Sequence, residues 1–404
     1  MGVCAGGFEE CDVPKAAASD PLVAAGLRHA GLHTRDMALV TGDLRLTWQE
    51  RGWALDDLCS FAARYNPRRG FLIVSTVLGR HVPARPRAVR GAADALSAAI
   101  RADLPGPVLF IGLAETAITL GHSVHAGWCR HSGRSDALFL HSTRQLLGCA
   151  PLVQFTEPHS HAAAHLLYPP APAIWPRPLS EFRSLVLVDD EVTTGSTFIN
   201  LARQLAPLLP GLEQITTAVL TDWTGGAGYL AQLPVTACGV SLLAGAAEWR
   251  PAQATGADTP PPGGCNALGQ LDQRRNFGRL GTAGEPLDLG GVLAGFGPPA
   301  DALHVIGTGE LHYPAFLLAE ALEQAGHDVL LQAVTRSPAR IGGAITAALT
   351  VADNYAADAA NYLYNLDQTV PRRRVIGHET ASGSLDPALL RPSDWGTVDF
   401  GALP

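Results

Sequence analysis

The sequence is short of charge, of aromatic rings and of any basic excess. Charged residues make up 16% and aromatics 6%, while hydrophobic residues reach 47%. That balance excludes a disordered chain, because enough apolar surface is available to offset the entropy lost on folding. Lys and Arg number 29 against 37 Asp and Glu, a formal charge of -8. Nucleic acid is therefore not expected as a partner, since phosphate backbones are held by surplus cations. A small anionic ligand is not excluded, because a local pocket of Arg side chains and backbone amides suffices for one.

The cysteines are Cys4, Cys11, Cys59, Cys129, Cys149, Cys238 and Cys265, odd in number and without Cys-x-x-Cys spacing. Neither a disulfide framework nor a structural zinc site is indicated, and a reducing, cytoplasmic setting is expected. No apolar run is long enough to span a bilayer, and Met1 to Glu10 lacks the basic start and apolar run of a signal peptide. No membrane partner is expected.

A chain of 404 residues calls for two domains. Residues 1–42 read as an arm without sustained periodicity, and residues 251–288, rich in Pro, Gly, Ala and Gln, as a linker. The domains are then 43–250 and 289–404. From Leu44 to Ala63 apolar residues recur at helical spacing. Strands are expected at Phe71–Val77, Val108–Leu113, Ala137–His141, Leu185–Val188 and Ile215–Leu220, with helices at Ala88–Ala102, Glu115–Ala126 and Thr197–Ala206. Such alternation implies an α/β fold, a parallel sheet with helices on both faces. The stretch from Ser142 to Ser180 has no clear period. In the C-terminal part, Leu303–Ile306 and Asp328–Ala333 read as strands around a helix at Phe316–Ala325.

The C-terminal domain echoes the first. Ile111-Gly112-Leu113-Ala114-Glu115 resembles Ile306-Gly307-Thr308-Gly309-Glu310, and the strand that follows each ends near Thr-Arg, at Thr143-Arg144 and Thr335-Arg336. This suggests an internal duplication, although Gly-rich strand ends are common in α/β proteins.

The strongest signal is Val186-Leu187-Val188-Asp189-Asp190-Glu191-Val192-Thr193-Thr194-Gly195-Ser196-Thr197. A buried parallel strand delivers two carboxylates to its C-terminal edge, where open α/β sheets bind ligands. Asp189 and Asp190 can accept from the 2- and 3-hydroxyls of a ribose. Thr193, Thr194, Gly195, Ser196 and Thr197 supply hydroxyls and unpaired amides at a helix start, a site for a 5-phosphate. A strand, turn and helix cap without ligand would need only one such polar residue.

These residues match the signature for phosphoribosyl pyrophosphate (PRPP) in the type I phosphoribosyltransferases. The resemblance extends to the orotate-type family found with tellurium-resistance gene clusters. Thr335-Arg336-Ser337-Pro338, with Asp353-Asn354-Tyr355 and Asn361-Tyr362-Leu363-Tyr364-Asn365, resembles the TRSP domain. The resemblance implies the type I phosphoribosyltransferase fold plus a smaller α/β C-terminal domain, and transfer of phosphoribose to an undefined, nitrogenous acceptor with release of pyrophosphate. It also implies a pyrophosphate loop at Gly112, Leu113, Ala114, Glu115, Thr116 and Ala117, and Mg²⁺ held at Asp189 and Asp190 through PRPP or water. The lid that closes over the reacting carbon is expected between His141 and Ser180, with Arg144 neutralising pyrophosphate.

Glu157-Pro158-His159-Ser160-His161 and His165 crowd one loop. They suit acceptor contact, a general base or a metal, and Glu191, His159 or His161 is expected to take the acceptor proton. Arg68-Arg69 and Arg80-His81 flank the first strand, and the second pair, at its C-terminal end, is expected to touch phosphate or acceptor. Arg336, Ser337, Asn354 and Tyr355 are the C-terminal residues expected on the acceptor side or at an interface. PRPP and a small acceptor are the expected partners, with a homodimer left open. The rival readings are a PRPP-sensing regulator and a scaffold of a biosynthetic complex.

Overall fold

A computed structural model describes residues 31–66, 69–155, 164–226, 228–252, 276–284, 287–355, 359–366 and 371–403. Strands β1 (His33–Leu39) and β2 (Gly42–Glu50) precede the single-turn helix α1 (Leu55–Leu58) and a hairpin of β3 (Cys59–Ala63) and β4 (Phe71–Ser75). Helix α2 (Pro86–Ala99), β5 (Val108–Gly112), α3 (Ile118–Ser132) and β6 (Ala137–His141) follow, then a hairpin of β7 (Val153–Phe155) and β8 (His165–Leu167). Next come β9 (Ser184–Val192), α4 (Ser196–Leu205), β10 (Gln214–Asp222) and the long β11 (Thr236–Pro251). The C-terminal part holds α5 (Gly290–Ala294), β12 (Ala302–Gly307), α6 (His312–Gln324) and β13 (Asp328–Ala333). A hairpin of β14 (Ala348–Ala352) and β15 (Ala360–Tyr364), then β16 (Arg373–His378) and β17 (Gly396–Asp399), complete it.

The first sheet has the order β1-β2-β11-β10-β9-β5-β6. Its strands from β11 to β6 are parallel, and β2 and β1 extend it antiparallel. Apolar residues alternate between its faces with the two-residue period of a strand. Val186 and Val188 pack with α2 and α3 in one core, while Leu185 and Leu187 pack with α4 in another. Covering both faces is what lets β9 be apolar throughout before its carboxylates.

A second, wholly parallel sheet has the order β13-β12-β16-β17. Helix α6 packs on it and also against α2 and α3, so these helices lie between the two sheets. The β3–β4 hairpin stands apart from both sheets and is pinned by the C-terminal part, with the Arg340 amide donating to Ala63 O (2.8 Å) and the Ala344 amide to Phe61 O (2.8 Å).

Three sequence expectations need correction. Leu44–Ala63 is not helical: Leu44, Leu46 and Trp48 are buried in alternation on β2, and only one turn of helix separates β2 from β3. The strand expected at Phe71–Val77 exists as β4 but pairs only with β3. Within the expected linker, residues 276–284 pack tightly: Thr282 pairs with Phe139 on the edge of β6, and Arg279 is 2% exposed. The aperiodic stretch after Ser142 contains the β7–β8 hairpin, and part of it, with His159 and His161, lies outside the described residues. Among the described residues no helix is long and apolar enough to cross a membrane.

Candidate active site

A cleft of about 220 Å³ opens at the C-terminal ends of β5, β6 and β9, roofed by the β3–β4 hairpin and by the loop after β13. On its floor, Asp189, Asp190 and Glu191 end β9, and Thr193, Thr194, Gly195, Ser196 and Thr197 carry the chain into α4. The Asp190 amide donates to Asp189 Oδ1 (2.9 Å), and Thr194 Oγ1 and Ser196 Oγ share a hydrogen bond of 2.7 Å. Gly195 has φ +73, and a Cβ there would collide with the Tyr229 ring, so this turn requires glycine. Burial, then the neighbouring Glu191, pushes the Asp190 carboxyl up to about 7, against the opposing pull of Asp189 and Arg69.

The loop after β5 faces this floor. Ala114, Glu115 and Thr116 line the cleft, whereas Gly112, Leu113 and Ala117 are buried behind them and frame the turn. The Leu113 amide donates to Val188 O (3.0 Å) and the Ala114 amide to Ser142 Oγ (2.9 Å), which ties the loop to the ends of β9 and β6.

Arg144 also lines the cleft, but as part of its wall. The residue is buried, its amide donates to Glu310 Oε1 (2.6 Å), and its Nη2 lies 3.0 Å from His165 Nε2. Arg144 is thus corrected from a lid residue to a fixed one. Because a guanidinium only donates, His165 Nε2 is the acceptor and its proton sits on Nδ1, directed at Ser142 Oγ (3.1 Å). His165 is buried outside the cleft, so the expectation of acceptor contact is replaced by one of holding Arg144.

Arg80 and His81 both border the cleft. Arg80 is 1% exposed and donates to Glu115 O (2.7 Å), Gly309 O (3.1 Å) and Val334 O (2.8 Å), so it ties the two parts of the chain together. Burial and the Arg80 charge push His81 down to about 3, so its ring is neutral against Tyr364. Arg336 and Ser337 reach the cleft from the loop after β13. The Arg336 amide lies 3.4 Å from Glu115 Oε2, and its Nη2 donates to Asp353 Oδ1 (3.0 Å). Asn354 and Tyr355 do not reach it. They bond instead to Thr308, Thr380 and Glu379 inside the C-terminal part, which overturns their assignment to the acceptor side.

Arg64, Leu72 and Ile73 line the cleft without having been singled out from the sequence, and Leu72 and Ile73 give the roof an apolar face. Arg69 comes from the end of β4 that the sequence reading set aside, yet its guanidinium pairs with Glu191 and lies over the Phe71 ring. No local signal marks it in the sequence, because Glu191 lies 122 residues away.

Residues 58–246 match the family described as phosphoribosyl transferase, and residues 290–384 match the TRSP domain that lies C-terminal to it. The chain carries a phosphoribosyl transferase domain followed by a TRSP domain. No curated protein matches it. Similar solved structures include adenine phosphoribosyltransferase from Rhodothermus marinus, 17% identical, covering 47% of this chain and 96% of that one with a TM-score of 0.30. Orotate phosphoribosyltransferase from Aeropyrum pernix is 17% identical over 43% of this chain and 79% of that one, with a TM-score of 0.26. The adenine phosphoribosyltransferase of Trypanosoma brucei, solved with AMP, pyrophosphate and ribose-5-phosphate, is 11% identical over 46% and 77%, with a TM-score of 0.27.

In this phosphoribosyl transferase domain the raised Asp190 makes stability depend on pH. The fold keeps a proton up to about 7 that the unfolded chain loses near the ordinary carboxylate value of 3.8. The stability contributed is full below the lower value and is lost as pH rises through the higher one. Asp190→Asn carries no charge at any pH and is expected to raise Tm by about 4 °C or more at pH 8, and by less at pH 5. Thermal melts at both pH values test this, and an equal shift at both would refute it.

Proposed function

We propose that the chain transfers the phosphoribosyl group of PRPP to a nitrogenous, base-like acceptor and releases pyrophosphate, in the synthesis of a nucleoside-like metabolite. The observation that carries this reading is the meeting, across one cleft, of Asp189-Asp190 and the Thr193–Thr197 loop with the Ala114–Thr116 turn and Arg144. The hydroxyls and amides of the Thr193–Thr197 loop hold the 5-phosphate at the start of α4. Asp189 and Asp190 accept from the ribose hydroxyls, which sets C1 facing the Ala114–Thr116 turn. As the C1–O bond breaks, its electron pair leaves with pyrophosphate, and Arg144 and Arg336 meet the charge that builds there. The acceptor nitrogen forms the new bond to C1 with its lone pair. Its proton goes to Glu191, whose Oε2 makes no hydrogen bond among the described residues, or to His159 or His161.

The acceptor ring lies against Leu72 and Ile73 of the roof, with Arg64, His81, Arg336 and Ser337 at its edge. Mg²⁺ fits the donor set of hard carboxylate and hydroxyl oxygens at the end of β9. Among the described residues no closed group of three or more His, Cys, Asp and Glu forms a metal site, so Asp189 and Asp190 would hold the ion together with substrate oxygens or water. When bound, it supplies charge neutralisation to the pyrophosphate. The described cysteines are free, which supports a reducing, cytoplasmic setting.

Incubation with PRPP, Mg²⁺ and a panel of nitrogenous bases is expected to release pyrophosphate with at least one base. PRPP binding without release across the panel would favour the sensing or scaffolding role instead. Changing Asp189 and Asp190 together to Asn is expected to weaken PRPP binding about hundredfold or more by calorimetry. Unchanged binding would remove the donor site from this cleft.

A further inference from the structure

The C-terminal domain repeats the strand framework of the donor-binding half of the first domain, with short helical turns at Ser382–Ser384 and Pro387–Leu389 in the place of α4. Strand order β6-β5-β9-β10 recurs as β13-β12-β16-β17, all parallel, and the hairpin β7–β8 recurs as β14–β15. The loop bonds recur too. The Leu113 amide donates to Val188 O (3.0 Å) as the Thr308 amide does to Gly377 O (3.0 Å), and the Ser142 amide donates to Gly112 O (3.0 Å) as the Val334 amide does to Gly307 O (3.1 Å). Thr143 exchanges two backbone bonds with Leu166 (2.8 Å each), and Thr335 exchanges two with Tyr362 (2.9 and 2.8 Å). Chance resemblance between ordinary strand ends does not reproduce this set.

The two halves also exchange contacts reciprocally, as the two sides of a twofold interface do. Residue 84 pairs with Leu331 on the edge of β13, and residue 282 pairs with Phe139 on the edge of β6. Upstream of these lie Gly79-Arg80 and Gly278-Arg279, each glycine with positive φ and each arginine buried. Glu115 of the first half accepts from the Arg336 amide of the second (3.4 Å). Glu310 of the second accepts from the Arg144 amide of the first (2.6 Å) and from the Thr143 hydroxyl.

One site of the pair is closed. Gly112 pairs with Val188 and Gly307 with Gly377, so His378-Glu379-Thr380 stands where Asp189-Asp190-Glu191 stands in the first half. Glu379 is taken by Arg279 (2.7 and 3.0 Å) and by the Tyr355 hydroxyl (2.8 Å), and Arg279 also donates to Glu310 Oε2 (3.2 Å). This cluster occupies the carboxylate that stands in the place of Asp190 and anchors Glu310.

We infer that the TRSP domain is a second, degenerate copy of the donor-binding half, and that its Glu310 is a positioning residue for Arg144 in the one surviving site. The inference rests on the phosphoribosyl-transfer reading, and its test uses two probes so that the failures separate. Ribose 5-phosphate reports on Asp189, Asp190 and the Thr193–Thr197 loop, and Mg-pyrophosphate reports on Arg144. Wild-type full-length protein is expected to bind one PRPP per chain by calorimetry. Asp189→Asn with Asp190→Asn should leave none, and a residual site would overturn the closed second copy.

Glu310→Ala is expected to weaken pyrophosphate binding about tenfold or more and to change ribose 5-phosphate binding less than about threefold. Combined with Arg144→Ala it should add little to the loss from Arg144→Ala alone, because the two act through one contact. Additive losses would overturn the positioning role. Two conservative variants serve if the alanine variant does not fold. Glu310→Gln keeps an acceptor for the Arg144 amide and is expected to retain pyrophosphate affinity, whereas Glu310→Asp keeps the charge but loses the reach and is expected to lose it. The reverse order would make charge, not position, the function of Glu310. Wild-type protein that binds neither probe would sink the transfer reading and this inference with it.

Discussion

A guanidinium removed from water persists in a fold only where oxygens meet its N–H groups, and the seam between the two halves buries two of them. Arg80 and Arg279 are 1% and 2% exposed. Arg80 is met by carbonyls at Glu115, Gly309 and Val334, and Arg279 by the carboxylates of Glu310 and Glu379. Arg80's partners lie in both halves, and Arg279, on the segment that pairs with β6, reaches two carboxylates of the C-terminal half, so separating the halves would strand a buried charge. Loss of one partner of such a pair costs about 3–5 kcal/mol. The cleft takes its shape from this constraint: Arg80 fixes the turn at Glu115, and the Glu310 that Arg279 holds fixes Arg144.

The floor of the cleft at the end of β9 was legible because its signal is local. Leu185 to Val188 alternate between two covered faces, and a strand covered on both sides must be apolar until it emerges. The carboxylates of Asp189 and Asp190 stand where it emerges, and the tight approach of Tyr229 explains why residue 195 is glycine. The echo between Gly112–Glu115 and Gly307–Glu310 was legible for the same reason, since each is a strand end followed at once by a helix.

What escaped the sequence depends on partners far along the chain. The segment 276–284 has the Gly and Asn content of a linker, and only the distant Glu310 and Glu379 explain why Arg279 is buried there. Asn354 and Tyr355 sit near the Thr335-Arg336-Ser337-Pro338 run in sequence, but the β14–β15 hairpin turns them toward Glu379 instead of the cleft. His165 looked like part of a histidine cluster, while its Ser142 and Arg144 contacts make it a support. The β2 error had a different origin. Leu44, Leu46 and Trp48 carry a two-residue period, but Trp53, Leu55, Leu58 and Phe61 follow at helical spacing, and a window over both reads the second pattern.

Five arginines, Arg64, Arg69, Arg80, Arg144 and Arg336, line the cleft of a chain whose net charge is -8. Arg80 and Arg144 are committed to buried partners and act as fixed positive walls, with no reorganisation needed when charge develops beside them. Arg69 differs, because its pair with Glu191 is partly open to solvent, with side chains 19% and 16% exposed. Arg69 thus sets a counter-charge beside the consecutive carboxylates of Asp190 and Glu191 on the floor of the cleft.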